Sequence, residues 1–222
     1  MNGPRWWMTL VASVAFAAMV CVPSPIRAQV APPLGTAAQF GVLGNSGVTG
    51  STGSGTSVNG DVGSSPTASI SNFNPPSTTV APFIVHLTND ATVQQAHADA
   101  ITAYSALAAQ GGAVLAADLT GVTLTSGVYA FAAAADLPAS TTLTLNGPGI
   151  FVFNVESSLT MNVLSNVVGD ADPCNIYWRV GSSATLNGDT FMGTVIASAS
   201  ITIGAGANLT GRALAGTGQP VR

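Results

Sequence analysis

The 222-residue chain contains no lysine, and charged residues make up only 6% of it. Beyond residue 28 its basic side chains are Arg179, Arg212 and Arg222, against nine carboxylates. Nucleic acids and anionic membranes both require clustered positive charge in a protein partner. The composition therefore argues against both partners. A surface of Thr, Ser, Asn, Gln and Gly is expected to bind water or neutral polymers.

Signals for catalysis are also missing. The chain has two histidines, His86 and His97, and no Gly-x-Ser-x-Gly motif of a serine nucleophile. Asp170, Asp172 and the nearby Asp189 follow no calcium-loop spacing, so a turn-forming role is expected for them. The sequence predicts a protein that is not an enzyme and that holds no metal or other cofactor.

The N-terminus has the pattern of a secretory signal. Residues 6–22 are almost wholly apolar and follow Arg5. This run is shorter than the roughly 20 residues that a membrane-spanning helix needs, which argues against a membrane anchor. We therefore predict a signal peptide over residues 1–28, a linker over 29–33, a single domain over 34–222, and a secreted, extracellular protein without a membrane attachment.

A short unit recurs in the C-terminal part of the chain. Corresponding residues lie 17 or 18 positions apart: Gly193 and Gly211, Thr185 and Thr202, Ile196 and Leu214. Short alternating runs broken by Gly, Asn and Ser at this period are typical of a β-solenoid, in which each coil stacks on its neighbours. The sequence therefore predicts a mainly β fold built from repeated coils.

Alternation within these runs predicts which side chains point inward. The inward row is Leu143, Leu145, Leu159, Met161, Leu186, Ile201 and Ile203. The outward row is Thr142, Thr144, Thr160, Asn162, Thr185, Asn187 and Thr202. Stacked strands would turn this outward row into a grid of hydroxyl and methyl groups. The alternative interpretation is an ordinary solvent-exposed face of good strand formers.

One long helix is predicted over about residues 89–110, capped by Asn89 or Thr88. Its apolar stripe is Val93, Ala96, Ala100, Tyr104 and Leu107. We expect it to pack on the strand face that contains residues 176–180, over small outward residues. These are Val195, Ala197, Ala213 and Ala215. Upstream, residues 34–73 are interpreted as one irregular coil, and residues 74–85 as a connection.

Several stretches together resemble the microbial ice-binding protein family. They are Leu34–Leu43, Val58–Gly63 with Ser65-Pro66, Leu124–Tyr129, Gly147–Phe153, Asn175–Trp178 and Gly211–Ala215. The resemblance implies a right-handed, discontinuous β-solenoid of triangular section with one long helix packed along it. It also implies secretion and adsorption to ice or ordered water through one flat face with its adjoining loops. We expect the protein to be a monomer. A departure from the family pattern is a last coil with Gln219 and Pro220 in place of apolar-alternating residues.

The same resemblance adds candidate site residues. Thr49-Gly50-Ser51-Thr52 resembles a Thr-Gly-x-Thr element on the binding face of some members, so Thr49, Ser51 and Thr52 join the outward row. The strand with Thr194 and Ser198 is a further candidate. The expected function is non-catalytic ice binding, with antifreeze or recrystallisation-inhibiting activity. The alternative is an adhesin-like or matrix protein that binds glycans or cell surfaces.

Overall fold

The computed structural model describes residues 29–51, 55–73 and 78–218. The predicted signal peptide, Thr52 and the predicted last coil from Gln219 lie outside these residues. Within them the chain forms an α-helix, α1 (Ala91–Ala108), and two 3-10 helices, Gly35–Gln39 and Pro173–Asn175. The strands, in chain order, are β1 (Phe40–Gly44), β2 (Val48–Thr49), β3 (Ser57–Val58), β4 (Asp61–Ser64), β5 (Ile70–Ser71), β6 (Thr78–Thr79), β7 (Ala113–Val114), β8 (Thr123–Leu124), β9 (Gly127–Phe131), β10 (Ala135–Leu137), β11 (Thr142–Leu145), β12 (Phe151–Val155), β13 (Leu159–Met161), β14 (Asn166–Gly169), β15 (Ile176–Val180), β16 (Ala184–Leu186), β17 (Thr190–Ala197), β18 (Ile201–Ile203) and β19 (Asn208–Ala215).

The named strands pair in parallel and form the three sides of a solenoid. The first side, the helix face, has the order β4-β1-β19-β17-β15-β12-β9-β7. The second, the Ser/Thr face, has the order β10-β13-β16-β18. The third, the Thr/Asn face, contains β8, β11, β14 and the first halves of β17 and β19. The mainly β solenoid predicted from the repeat is confirmed.

Two long strands pass from the Thr/Asn face to the helix face. Thr190 of β17 pairs with Asn166 on one side, whereas Thr194 of the same strand pairs with Tyr177 on the other. Between them Gly193 has a φ of 112° and pairs with Gly211, whose φ is 152°. Glycine tolerates this backbone conformation at little steric cost, which lets both strands continue across a corner.

The space enclosed by the three sides is filled with apolar side chains. Phe153 and Trp178 stack with their ring centroids 3.8 Å apart, and the Trp178 indole donates a hydrogen bond to the Met192 carbonyl at 3.0 Å. The predicted inward residues Leu143, Leu145, Leu159, Met161 and Leu186 are all buried. Ile201 is half-buried and Ile203 is 40% exposed, because β18 is the last strand of its sheet.

Helix α1 covers the helix face, as predicted. Asp90, rather than Asn89 or Thr88, is its N-cap and accepts the backbone N–H groups of Thr92 and Val93 at 2.9 and 3.0 Å. The predicted stripe, Val93, Ala96, Ala100, Tyr104 and Leu107, is buried. It packs against Val152, Tyr177, Ile196 and Leu214.

The prediction that Val195, Ala197, Ala213 and Ala215 lie under the helix is wrong; the two alanines of β19 pair with Val195 and Ala197 and share their orientation. Val195 pairs with Trp178 in the parallel ladder and shares its inward orientation, so both residues lie in the solenoid interior. Ile196 faces the helix instead. Both sides of this sheet are buried, so the size of a side chain does not indicate its direction.

The N-terminal segment contains two coils, not one irregular coil. One coil is β1, β2 and β3, and the next is β4, β5 and β6, each strand of the first pairing with its counterpart in the second. Strand β1 also pairs with β19, the last of the described strands, so the N-terminal coils pack against the most C-terminal described coil. This chain order makes the solenoid discontinuous. A cavity of about 590 Å³ separates β2 and β3 from β18 and the start of β19.

Candidate functional site

The Ser/Thr face is organised around one column of outward side chains. Asp136 pairs with Thr160, Thr160 with Thr185, and Thr185 with Thr202. Parallel strands lie roughly 4.8 Å apart, so these side chains repeat at that spacing. Across the described ranges, no hydrogen bond joins the three threonine hydroxyls to the protein, so they are available to water.

Two further columns flank the threonines. Ser158, Ser183 and Ser200 each lie two residues before a column threonine, and Ser200 Oγ donates to Ser183 Oγ at 3.0 Å. Asn162 and Asn187 lie two residues after Thr160 and Thr185. Neighbours two residues apart on a strand share a face at roughly 6.8 Å. The result is a grid of three polar columns.

Side-chain and backbone bonds hold part of this grid in place. Asn162 Nδ2 donates to Asp136 Oδ1 at 3.0 Å, across one rung of the sheet. The inward neighbours of the threonines, Leu159, Met161 and Leu186, are buried in the main core. Because buried side chains lock each strand from below, the outward hydroxyls have a fixed spacing.

The predicted outward row is divided between two sides of the solenoid. Thr160, Asn162, Thr185, Asn187 and Thr202 lie on the Ser/Thr face. Thr142 and Thr144 lie on the Thr/Asn face, where they pair with Asn166 and Val168. The prediction of a single row is therefore wrong, because the four-residue corner between β10 and β11 turns the chain from one side to the next.

The Thr/Asn face has its own ordered column, in which the residues pair directly across the strands. This column is Thr142, Asn166, Thr190 and Asn208. Beside it, Thr144 pairs with Thr123 and Met192 pairs with Thr210. Val168, which points outward on this side, is 37% exposed. This face is therefore more apolar than the Ser/Thr face.

The first-coil candidates, Thr49 and Ser51, lie on the same side of the solenoid as the Ser/Thr face but are separated from its last strand, β18, by the cavity. Strand β2 begins four residues after β1 ends, as β18 does after β17, so β2 occupies the same side of the solenoid. Thr49 is exposed there, and its Oγ1 lies 3.0 Å from Ser71 Oγ of β5. Ser51 is also exposed, and its N–H donates to Thr56 Oγ1 at 3.0 Å.

Thr194 does not belong to any exposed face. Its side chain is fully buried, and its hydroxyl has no hydrogen-bond partner among the described residues. The proposal that it contacts a surface ligand is therefore wrong. Ser198, in the turn after β17, is half-buried.

The histidines and aspartates have structural partners. His86 is buried against Phe40; its Nδ1 lies 2.9 Å from Asp90 Oδ2 and its Nε2 lies 3.3 Å from Asp61 Oδ2. Burial lowers the pKa of His86, but the hydrogen bonds and charges of these two carboxylates outweigh it, so the pKa is raised from 6.5. The hydrogen bond from His86 lowers the pKa of Asp90, and the N–H of Val93 adds to this effect.

The remaining polar clusters fit turn formation. Asp172 caps the second 3-10 helix by accepting the Cys174 N–H at 2.9 Å, and Asp170 accepts the Gly147 N–H. In residues 29–51, 55–73 and 78–218 there is no group of three His, Cys, Asp or Glu side chains placed to hold a metal ion. The same residues include no helix that is both long and apolar enough to span a membrane.

Fold and site together define a class of protein: a parallel β-solenoid with one helix-covered side and two open sides that carry ordered polar columns. The family model described as Ice-binding-like matches residues 42–220. The chain belongs to this ice-binding-like family.

Comparisons with individual proteins agree with the family. The ice-binding protein of Nostoc sp. (strain HG1) is 38% identical over 221 residues, covering 96% of this chain and 79% of that relative. A crystal structure of an ice binding protein from an Antarctic biological consortium has a TM-score of 0.76 at 36% identity and covers 88% of this chain and 89% of its own. The ice-binding protein of the Antarctic ascomycete Antarctomyces psychrotrophicus has a TM-score of 0.75 at 34% identity, with 84% of this chain and 93% of its own covered.

Proposed function

We propose that this protein is secreted, binds ice without catalysing a reaction, and adsorbs through the Ser/Thr face. The observation that carries the proposal is the column of Thr160, Thr185 and Thr202. These residues pair directly across the strands, and their hydroxyls make no hydrogen bond to other residues in the part of the chain that the structure describes. Hydroxyls at a fixed repeat can hold water in an ordered layer. The threonine methyl groups limit competing hydration between them.

The rigidity of the Ser/Thr face, like the spacing of its hydroxyls, favours adsorption. Binding costs free energy for each side chain that must be ordered, about 0.5–1.5 kcal/mol for a flexible one. The columns of the Ser/Thr face contain short side chains on strands fixed by the buried residues Leu159, Met161 and Leu186. Many weak contacts can therefore add up with little loss of entropy.

The low charge of the Ser/Thr face also suits a neutral ligand. The three columns of the Ser/Thr face contain one charged side chain, Asp136, at the first rung. Charged groups hold their own hydration shells, so their scarcity favours contact with a crystalline water surface. The relatives reported above are described as ice-binding proteins, not as adhesins or glycan-binding proteins.

The test is thermal hysteresis and inhibition of ice recrystallisation by the purified protein. The variant Thr185→Tyr places a bulky side chain at the centre of the column and should remove most activity. Tyrosine is a good strand residue and the position points outward, so the free energy of unfolding should change by about 0.5 kcal/mol or less. The melting temperature should therefore change little.

The matched control is Thr102→Tyr, on the exposed side of helix α1. It makes the same chemical change away from the proposed site and should keep full activity. Wild-type protein without activity in either assay would refute ice binding itself. Full activity of Thr185→Tyr would refute the assignment to the Ser/Thr face.

A further inference from the structure

The Thr/Asn face is a second ordered polar surface of the same length as the first. Its column of Thr142, Asn166, Thr190 and Asn208 crosses four rungs in direct register. The column of the Ser/Thr face from Asp136 to Thr202 also crosses four rungs. An exposed strand needs polar side chains for solubility, but it does not need them to line up with those of three other strands.

Backbone bonds fix the orientation of the amides in this column. Asn166 Nδ2 donates to the Leu164 carbonyl at 3.3 Å, and Asn208 Nδ2 donates to the Asp189 carbonyl at 3.4 Å. Throughout the described part of the chain, the hydroxyls of Thr142 and Thr190 make no hydrogen bond to protein groups. Positioned amides and unbonded hydroxyls therefore alternate along the face.

An apolar corner joins the two polar faces. Val163 and Leu164, between β13 and β14, are 58% and 60% exposed. Leu164 has a φ of 61°, and Ser140 occupies the same position with a φ of 60° in the preceding corner. A leucine is unfavourable there both because it is exposed and because its backbone is left-handed. Folding does not explain this residue.

We propose that the Thr/Asn face is a second ice-adsorbing surface and that the Val163–Leu164 corner contacts ice beside it. The proposal rests on the ice binding proposed above and assigns a second orientation to it. The two faces belong to one rigid solenoid and meet at a corner, so one flat crystal plane cannot contact both at once. The protein should therefore bind two sets of ice planes.

Ice suits this face better than a protein partner does. The columns on it contain no charged side chain that could direct a charged partner. A stable protein interface buries about 800 Å² on each partner around an apolar centre. Here the two most exposed aliphatic side chains lie at the edge of the face, next to hydroxyls and amides.

The test compares Thr190→Tyr with Thr185→Tyr, each at the centre of its column. Fluorescently labelled protein is adsorbed to a single-crystal ice hemisphere, and thermal hysteresis is measured in parallel. Wild-type protein should label two sets of planes, Thr190→Tyr should lose one of them, and Thr185→Tyr should lose the other. The double variant should lose both sets and also the residual hysteresis that Thr185→Tyr keeps, while circular dichroism shows that all three variants remain folded.

The corner is tested with Leu164→Ser, which copies the residue found at position 140. It should lower hysteresis and weaken labelling of the planes lost by Thr190→Tyr, with an unchanged or higher melting temperature. Unaltered planes and hysteresis in Thr190→Tyr would overturn the inference, and the effect of Thr185→Tyr would then show that the proposed function still holds. Dimerisation of wild-type protein that Thr190→Tyr abolishes in sedimentation velocity would also overturn it, by identifying a protein interface.

Discussion

Helix α1 should contribute to stability through Leu107. This side chain is fully buried between the helix and the strand face, in the cluster that includes Tyr104 and Val152. Burial of a leucine side chain contributes about 1.5–3 kcal/mol, and the cavity left behind raises the cost of Leu→Ala to about 2–5 kcal/mol. For a chain of this size, each kcal/mol lowers the melting temperature by about 2–4 °C. Leu107→Ala should therefore melt about 4–20 °C below wild type.

Leu107→Asp should be the more damaging change, because it also leaves a charge without a partner in an apolar cluster. Differential scanning calorimetry of wild type, Leu107→Ala and Leu107→Asp should give melting temperatures in that descending order. Ala98→Asp is the control, since it adds the same charge at an exposed position of the same helix. Equal melting temperatures for Leu107→Asp and Ala98→Asp would refute the packing of this stripe on the solenoid.

The same variants test whether stability and adsorption are separate. The helix lies on a different side of the solenoid from the Ser/Thr face. Leu107→Ala should therefore keep thermal hysteresis near 0 °C as long as circular dichroism shows folded protein. Lost hysteresis in a folded Leu107→Ala variant would mean that the helix shapes the adsorbing face.

Two other predictions concern the histidine cluster and the glycine corner. Because the pKa of His86 is raised in the folded protein, its stabilisation is complete below its ordinary pKa of 6.5 and is lost as the pH rises through the folded value. The melting temperature should fall over that rise, and a His86→Gln variant with the same pH profile would contradict this reasoning. A Cβ at Gly211 would lie 2.0 Å from the Gly193 carbonyl oxygen, whereas one at Gly111 would meet nothing within 4 Å. Backbone strain alone typically costs about 1–3 kcal/mol, which corresponds to about 2–12 °C in melting temperature for a chain of this size. Because of the additional clash, Gly211→Ala should lower the melting temperature by more than strain alone would, and an effect equal to that of Gly111→Ala would count against the close packing of this corner.

The inward rows could be predicted from the sequence because they depend only on local alternation. Leu143, Leu159 and Leu186 each stand between polar residues in a short run, and a strand with period two leaves one orientation that buries them. The helix was predictable for the same reason, since its buried stripe recurs at helical spacing. In both cases the residues of a single strand or helix are enough to predict which of its side chains are buried.

The division of the outward row could not be predicted this way. Thr142 and Thr160 have the same local pattern, yet they lie on different sides because each coil contains three strands separated by corners. Alternation states whether a side chain points out, but not toward which side of the solenoid. The pairing of Asp61 with His86 is likewise absent from local spacing, since it joins residues 25 positions apart through tertiary structure.

The helix explains why two sides of the solenoid, and not three, are open. On the helix face the outward residues Val152, Tyr177, Ile196 and Leu214 are large and apolar, and without α1 they would be exposed to water. Covering them stabilises the fold but removes that side from contact with a crystal. On the other two sides the outward positions are mostly Ser, Thr and Asn, which need no cover. Substitutions under the helix should therefore change the free energy of unfolding, and substitutions in the polar columns should change adsorption to ice.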